Sequence, residues 1–165
     1  MSINPQTLLL VNGYVVALAA FTFIVNSLLA RSDAIAKTWS LAFVAGILTT
    51  LSYAVYSFTP EAWWTVAVGN AAVTLSVAAM WSGCRQFNDR PSLLWVSFAA
   101  SAVVGMSALF EGSDGGAWAG GAAMFVLIAA FAALASTECV RDQLRASRNA
   151  RPLAGVFMLL SAYYS

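Results

Sequence analysis

Long uncharged stretches of apolar residues constrain the fold of this chain more than any other feature. Only 9% of its 165 residues are charged and 61% are hydrophobic, whereas a soluble domain usually carries about 25% charged residues. The charged residues are confined to short segments, and most of the stretches between them match the roughly 20 residues that a helix needs to cross a bilayer. The sequence therefore predicts an all-α, polytopic transmembrane helix bundle.

Six apolar segments, separated by polar connections, make up the predicted bundle. They cover residues 7–30, 38–58, 62–84, 92–110, 117–140 and 152–165. Short connections predict that consecutive helices are antiparallel neighbours. The sixth segment has 14 residues, on the order of 21 Å of helix against roughly 30 Å of hydrocarbon. We therefore expect residues 1–165 to form one membrane-embedded domain with an incomplete sixth helix, in a natural protein that continues to a seventh.

The basic residues predict the orientation of the bundle, because Lys and Arg accumulate in cytoplasmic loops. All eight of them lie in the first, third and fifth connections: Arg31, Lys37, Arg85, Arg90, Arg141, Arg145, Arg148 and Arg151. The second and fourth connections contain only acidic charges, at Glu61, Glu111 and Asp114. We therefore expect a multi-pass protein whose N-terminus is outside the cell and whose basic loops are inside.

The residue types that are missing exclude several functions. The chain has no histidine and two cysteines, Cys84 and Cys139, so no tetrahedral metal site is expected and we predict no cofactor. Both cysteines fall on the predicted cytoplasmic side, where free thiols are expected rather than a disulfide. Because the sequence contains no Gly-rich phosphate loop, paired carboxylates or nucleophile–base set, we expect no active site in this chain. The net charge of +1 gives no indication of nucleic-acid binding.

Four polar side chains map to the outer half of the predicted bundle: Asn12, Tyr53, Asn70 and Thr74. Asn70 and Thr74 are four residues apart and share one helix face. Two interpretations are open, because a polar group in hydrocarbon must find a partner. Either the side chains hydrogen-bond between helices only, or they line a pocket open to the outside that binds a small ligand.

Two further patterns concern packing and the cytoplasmic face. Small residues recur at every fourth position in several segments, as at Ser97, Ser101 and Gly105, which favours close packing within one bundle, with a homodimer as the alternative. Glu138 lies one turn from Arg141, so a local ion pair is expected. The arginines that follow predict contact with anionic lipid headgroups or with a downstream cytoplasmic domain.

Residues 69–75 read GNAAVTL, residues 83–87 read GCRQF, residues 89–91 read DRP, and residues 4–10 read NPQTLLL. This pattern resembles the membrane sensor region at the N-terminus of bacterial diguanylate cyclases, where Gly-Asn opens the third helix and Gly-x-Arg-x-Phe-x-x-Arg closes it. The resemblance implies seven helices in the bacterial inner membrane, followed by a cytoplasmic GGDEF domain that makes cyclic di-GMP from two GTP molecules. The chain departs from the family by ending within the sixth helix.

The predicted function is a sensory membrane module that detects an extracytoplasmic or membrane signal and controls a C-terminal cytoplasmic output domain. Its predicted partners are the lipid bilayer, a small ligand from the outer side, the output domain and a second copy of the chain. We assign signal coupling to five residues on the cytoplasmic side: Arg85, Phe87, Arg90, Arg141 and Arg145. The alternatives are a small-molecule transporter or channel, and a scaffold that only dimerises an output domain.

Overall fold

The computed structural model describes residues 34–141 and 150–164, together with Tyr14, Leu18, Phe21, Thr22 and Val25 as single helical residues. The helices are α1 (Ala34–Phe58), α2 (Trp64–Phe87), α3 (Leu94–Glu111), α4 (Gly121–Cys139) and α5 (Ala150–Tyr164). A 3₁₀ segment, Gly112–Trp118, connects α3 to α4. These ranges contain no β-strand, so the all-α prediction is confirmed for the part of the chain that the structure describes.

The number of membrane-spanning helices differs from the prediction. Helices α1 to α4 correspond to predicted segments two to five, and each is long and apolar enough to cross a bilayer. Helix α5 corresponds to the sixth segment, but its 15 residues fall short of the required length. The first segment, residues 7–30, lies mostly outside the described residues. The described chain therefore has four candidate spans rather than six or seven.

Helix α2 is the central helix of the bundle. It contacts α1, α3 and α4. In its most apolar stretch of 18 residues, 72% of the residues are buried, compared with 17% in the corresponding stretch of α1. Small residues make this packing close. A Cβ atom at Gly83 would lie only 2.5 Å from Nε1 of Trp39, so the absent side chain leaves room for the indole of α1.

Helix α3 packs against α2 through the small residues seen in the sequence. The Ser101 hydroxyl donates a hydrogen bond of 2.8 Å to the Ala71 carbonyl, and a Cβ atom at Gly105 would lie 3.3 Å from that of Ala71. Ser97 is also buried. These contacts place this small-residue series inside the bundle, the first of the two arrangements that its spacing allows.

An apolar core fills the space among α2, α4 and α5. Trp81 of α2 and Phe131 of α4 are both buried, and their ring centroids are 5.4 Å apart. Helix α5 lies antiparallel to α4, because the Ser136 hydroxyl donates to the Ala154 carbonyl at 3.2 Å and the Ser161 hydroxyl donates to the Ala129 carbonyl at 3.0 Å. This core separates the two polar clusters described below.

Large apolar side chains cover the outward faces of α1 and α3. Examples are Leu51 on α1 and Val103 on α3, and exposed aromatic residues such as Phe110 and Trp95 lie near the two ends of α3. A soluble monomer rarely exposes so much apolar surface. The surface is consistent with a protein whose bundle faces lipid.

The turn into α4 depends on glycine. Gly120 has φ +70°, a conformation that L side chains rarely adopt. A Cβ atom there would also lie 2.8 Å from Cβ and 2.9 Å from the backbone N of Ala108. The Gly120 N–H donates to the Glu111 carboxylate at 3.0 Å. This tight turn brings the Ala119 carbonyl against α2.

Candidate functional site

Polar side chains gather at the two ends of the bundle. The acidic end is the end that carries Glu61, Glu111 and Asp114. The basic end is the end that carries Arg85, Arg90 and Arg141. In the described ranges all charged side chains lie in connections or terminal turns of helices, and each end holds one hydrogen-bonded cluster.

Asn70 is the centre of the cluster at the acidic end. It is 1% exposed, and its Nδ2 donates a hydrogen bond of 2.6 Å to the Ala119 carbonyl. Its Oδ1 accepts a hydrogen bond from the Tyr53 hydroxyl. Tyr53 lies on α1, Asn70 lies on α2, and Ala119 lies in the turn two residues before α4. One amide therefore connects α1, α2 and the turn into α4.

The structure brings three of the four predicted ligand-binding residues together. Tyr53 contacts Asn70, and the buried Thr74 hydroxyl donates a hydrogen bond of 2.9 Å to the Asn70 carbonyl. Asn12 lies outside the described residues. Both polar atoms of the Asn70 amide have one partner within the protein, which leaves one N–H donor and one acceptor lone pair of the amide for a further bond. Ligand binding by the four residues stays a prediction.

Glu138 is the centre of the cluster at the basic end. It lies in the last turn of α4, and its side chain is 4% exposed. Its Oε1 is 2.7 Å from Nη1 of Arg90 and 3.6 Å from Nη1 of Arg85. Asn88 Nδ2 donates to the Glu138 carbonyl at 2.9 Å and to its Oε2 at 3.2 Å. The connection between α2 and α3 is therefore held against the end of α4.

The backbone after α2 reverses sharply to place these groups. Asp89 has φ +54°, and the Arg90 N–H donates to the Arg85 carbonyl at 3.0 Å. Arg85 also donates from Nε to the Pro91 carbonyl at 3.3 Å, and its guanidinium carbon lies 5.3 Å from the centre of the Trp81 ring. Arg85 is thus held by a carboxylate, a carbonyl and an aromatic face, which fixes its position.

The prediction that Glu138 forms an ion pair with Arg141 is wrong. Among the described residues, the salt bridges of Glu138 are with Arg85 and Arg90, while Arg141 is exposed and donates its backbone N–H to the Glu138 carbonyl at 3.2 Å. The predicted topology already placed the third and fifth connections at the same end of the bundle. That topology could have indicated an ion pair between the third and fifth connections, but the one-turn spacing between Glu138 and Arg141 suggested a local pair instead.

Two further residues, Phe87 and Arg145, are predicted to take part in signal coupling. Phe87 is 41% exposed at the end of α2, next to Asn88. Arg145 lies outside the described residues. Arg85 and Arg90 share the buried carboxylate of Glu138, so removing that carboxylate leaves both guanidinium groups without this ion pair.

Comparison with known proteins found no family model, no characterised protein and no solved structure that matches the chain. The likeness of residues 69–91 to sensor regions of diguanylate cyclases therefore stays a prediction.

Proposed function

We propose that this chain is a sensory membrane module that passes a signal from its acidic end to an output domain at its basic end. Helices α2 and α4 carry the proposal, because polar contacts join them at both ends. Asn70 binds the carbonyl that precedes α4, and Asn88 binds the last turn of α4 at Glu138. Asn70 and Arg85 are roughly 22 Å apart along α2, at 1.5 Å per residue.

This arrangement favours movement of α2 and α4 as one unit. A change at Asn70 alters the start of α4, and the packed core of Trp81, Ile128 and Phe131 resists independent sliding of the two helices. The displacement then reaches Glu138, whose ion pairs hold the connection between α2 and α3. Small shifts of packed helices are an established way to bias an attached domain between two states.

The basic residues support an orientation with the basic end in the cytoplasm and the N-terminus outside. The resemblance of residues 69–91 supports a bacterial inner-membrane protein with seven helices. It also favours a cytoplasmic diguanylate cyclase as the output, so that ligand binding near Tyr53, Asn70 and Thr74 would change the synthesis of cyclic di-GMP. The residues Arg85, Phe87, Arg90, Arg141 and Arg145 would then couple the bundle to that domain.

The interior of the bundle supports a transporter less well than a sensor. A transporter needs polar groups near the middle of the membrane and access to them from both sides. Between the two clusters, the described residues of α2 and α4 place no charged side chain. Their buried polar groups there are the small hydroxyls of Ser76, Ser82 and Ser136, while the largest buried groups are Trp81, Ile128 and Phe131. A sensor needs a ligand site at the acidic end alone.

The experiment compares two Glu→Gln variants in cells that express the full reading frame containing this chain. Glu138→Gln removes the charge that Arg85 and Arg90 share, whereas Glu61→Gln changes an exposed residue at the other end. We expect Glu138→Gln to change the level of cyclic di-GMP and Glu61→Gln to leave it unchanged. An unchanged level in both variants, with normal amounts of folded protein, would contradict the proposal.

A further inference from the structure

A strap of chain, residues 112–120, closes over the acidic end of the bundle. It contains the 3₁₀ segment and the turn into α4, and the 3₁₀ segment contacts both α2 and α3. Ala119 and Gly120, at the end of the strap, are buried. Ala119 belongs to one apolar cluster with Val66 of α2 and Ala108 of α3, so the end of the strap is packed where these two helices meet.

The strap covers a polar group that the protein uses only in part. Asn70 is 1% exposed, and its amide keeps one N–H donor and one acceptor lone pair beyond its bonds to Ala119 and Tyr53. The carbonyl that binds Asn70 belongs to the strap itself. Because the amide is shut off from solvent, a ligand from the acidic end reaches it only after part of the bundle moves.

The strap is the part of the acidic end that the fewest contacts hold. No residue of its 3₁₀ segment is buried, and in the described ranges the salt bridges lie at Glu138, at the other end of the bundle. Two hydrogen bonds tie the end of the strap to α2 and α3, one from Asn70 to the Ala119 carbonyl at 2.6 Å and one from the Gly120 N–H to Oε2 of Glu111 at 3.0 Å. Segments with little buried apolar surface open locally at low free energy.

Glycine at the start of the strap provides a hinge. Gly112 directly follows α3 and has φ +62° and ψ −152°, a conformation that is essentially restricted to glycine. A Cβ atom at this position would meet nothing within 4 Å, so packing does not explain the absence of a side chain. Hinges are typically residues at the end of an element that absorb a change in backbone dihedral angles.

We propose that the strap is a gate over Asn70 and that the hydrogen bond between Glu111 and Gly120 is its latch. The gate rests on the proposed function, because it regulates access to the same ligand site. Glu111 is the last residue of α3, and its carboxylate holds the residue next to Ala119. When this bond opens, the strap swings on Gly112 and takes the Ala119 carbonyl away from Asn70. A ligand then bonds to the amide in place of that carbonyl.

The test measures how fast a thiol beneath the strap reacts with a small, water-soluble methanethiosulfonate reagent. Ala67→Cys, in a Cys84→Ala/Cys139→Ala background, places this thiol in the apolar cluster that contains Ala119. A buried free cysteine behaves as a small apolar residue, so it suits this position. The purified chain is studied in lipid nanodiscs. Because the thiol reacts in the open state, the rate follows the population of that state.

Two substitutions at the acidic end distinguish the latch from its surroundings. Glu111→Ala removes the acceptor of the Gly120 N–H, and we expect it to raise the rate of thiol reaction about three- to tenfold. Asp114→Ala removes an exposed carboxylate of the strap itself and should change the rate by no more than about twofold. Glu111→Gln keeps an oxygen acceptor and should restore part of the protection.

A second reporter needs no substitution at position 67. Backbone hydrogen exchange, followed by mass spectrometry, should become faster across the strap in Glu111→Ala and stay unchanged in the middle of α2. An equal rate with and without Glu111→Ala in both reporters would overturn the gate. Faster reaction of the native Cys84, which is buried near the other end of α2, would also overturn it, because the whole bundle would then be opening.

These measurements are independent of the output domain. If both reporters respond to Glu111→Ala as expected and Asn70→Leu leaves cyclic di-GMP unchanged, the gate stands and the proposed sensory function fails. If Asn70→Leu changes cyclic di-GMP and neither reporter responds to Glu111→Ala, the sensory function stands and the gate fails.

Discussion

The hydrogen bond between Tyr53 and Asn70 allows the acidic-end cluster to be tested quantitatively. Asn70→Leu would remove both amide bonds and leave the Ala119 carbonyl and the Tyr53 hydroxyl without this partner. A buried polar group left unpaired costs about 1–3 kcal/mol. The Ala119 carbonyl is in a buried residue, while Tyr53 is only half-buried, so we expect a total loss of about 2–4 kcal/mol in the free energy of unfolding.

A double-mutant cycle separates the hydrogen bond from the change in packing. Tyr53→Phe removes the hydroxyl alone, and the Tyr53→Phe/Asn70→Leu double variant completes the cycle. Hydrogen bonds between helices in membranes average about 0.6 kcal/mol, with a maximum near 1.7, so we expect a coupling energy of about 0.6–1.7 kcal/mol. Unfolding in mixed micelles, followed by tryptophan fluorescence, measures it. A coupling energy within error of zero would refute the assignment of this bond.

Three further predictions concern the turn into α4, the basic-end cluster and the orientation. Gly120→Ala should destabilise the bundle by about 2–4 kcal/mol, because Gly120 has a positive φ and lies close to the Ala108 backbone. The control is Gly155→Ala, which lies in open space on α5 and should be neutral or stabilising by up to about 1 kcal/mol. Glu138→Gln should lower the free energy of unfolding by about 1–3 kcal/mol. This is less than the loss of a fully buried ion pair, because the Arg90 side chain is 40% exposed. The control, Glu61→Gln, should change the free energy of unfolding by no more than about 0.5 kcal/mol. In a Cys84→Ala/Cys139→Ala background, an impermeant maleimide on intact cells should label Asp114→Cys and not Arg141→Cys, and the reverse pattern would contradict the orientation.

The helical fold could be predicted from the sequence because the signal is strong and local. Uncharged stretches separated by charged connections predicted all five helices, α1 to α5, with differences of a few residues at their ends. The start of α4 was harder to predict. Residues 112–118 form a 3₁₀ segment, and Gly120 has a positive φ, so the apolar stretch beginning at residue 117 does not become α-helical until Gly121. Hydropathy does not report backbone dihedral angles.

The residues of the two clusters could be located from the sequence, but most of their partners could not. The polarity of Asn70 in an apolar stretch indicated that it needs a partner, yet the Ala119 carbonyl is a backbone atom with no sequence signal. Glu138 was paired with Arg141 by helix spacing, whereas the sharp turn at Asp89 brings Arg90 to it. Partners that depend on one turn geometry require the three-dimensional structure.

The most direct test of the proposed coupling is the output of Asn70→Leu, Glu138→Gln and their combination in the full-length protein. Cyclic di-GMP in cells is the readout, normalised to the amount of folded protein in the membrane. If α2 and α4 transmit the signal as one unit, each single variant changes the output and the double variant resembles Glu138→Gln alone, because the broken basic end no longer receives the change at Asn70. Independent, additive effects of the two substitutions, or an output that neither of them alters, would contradict transmission between the two ends.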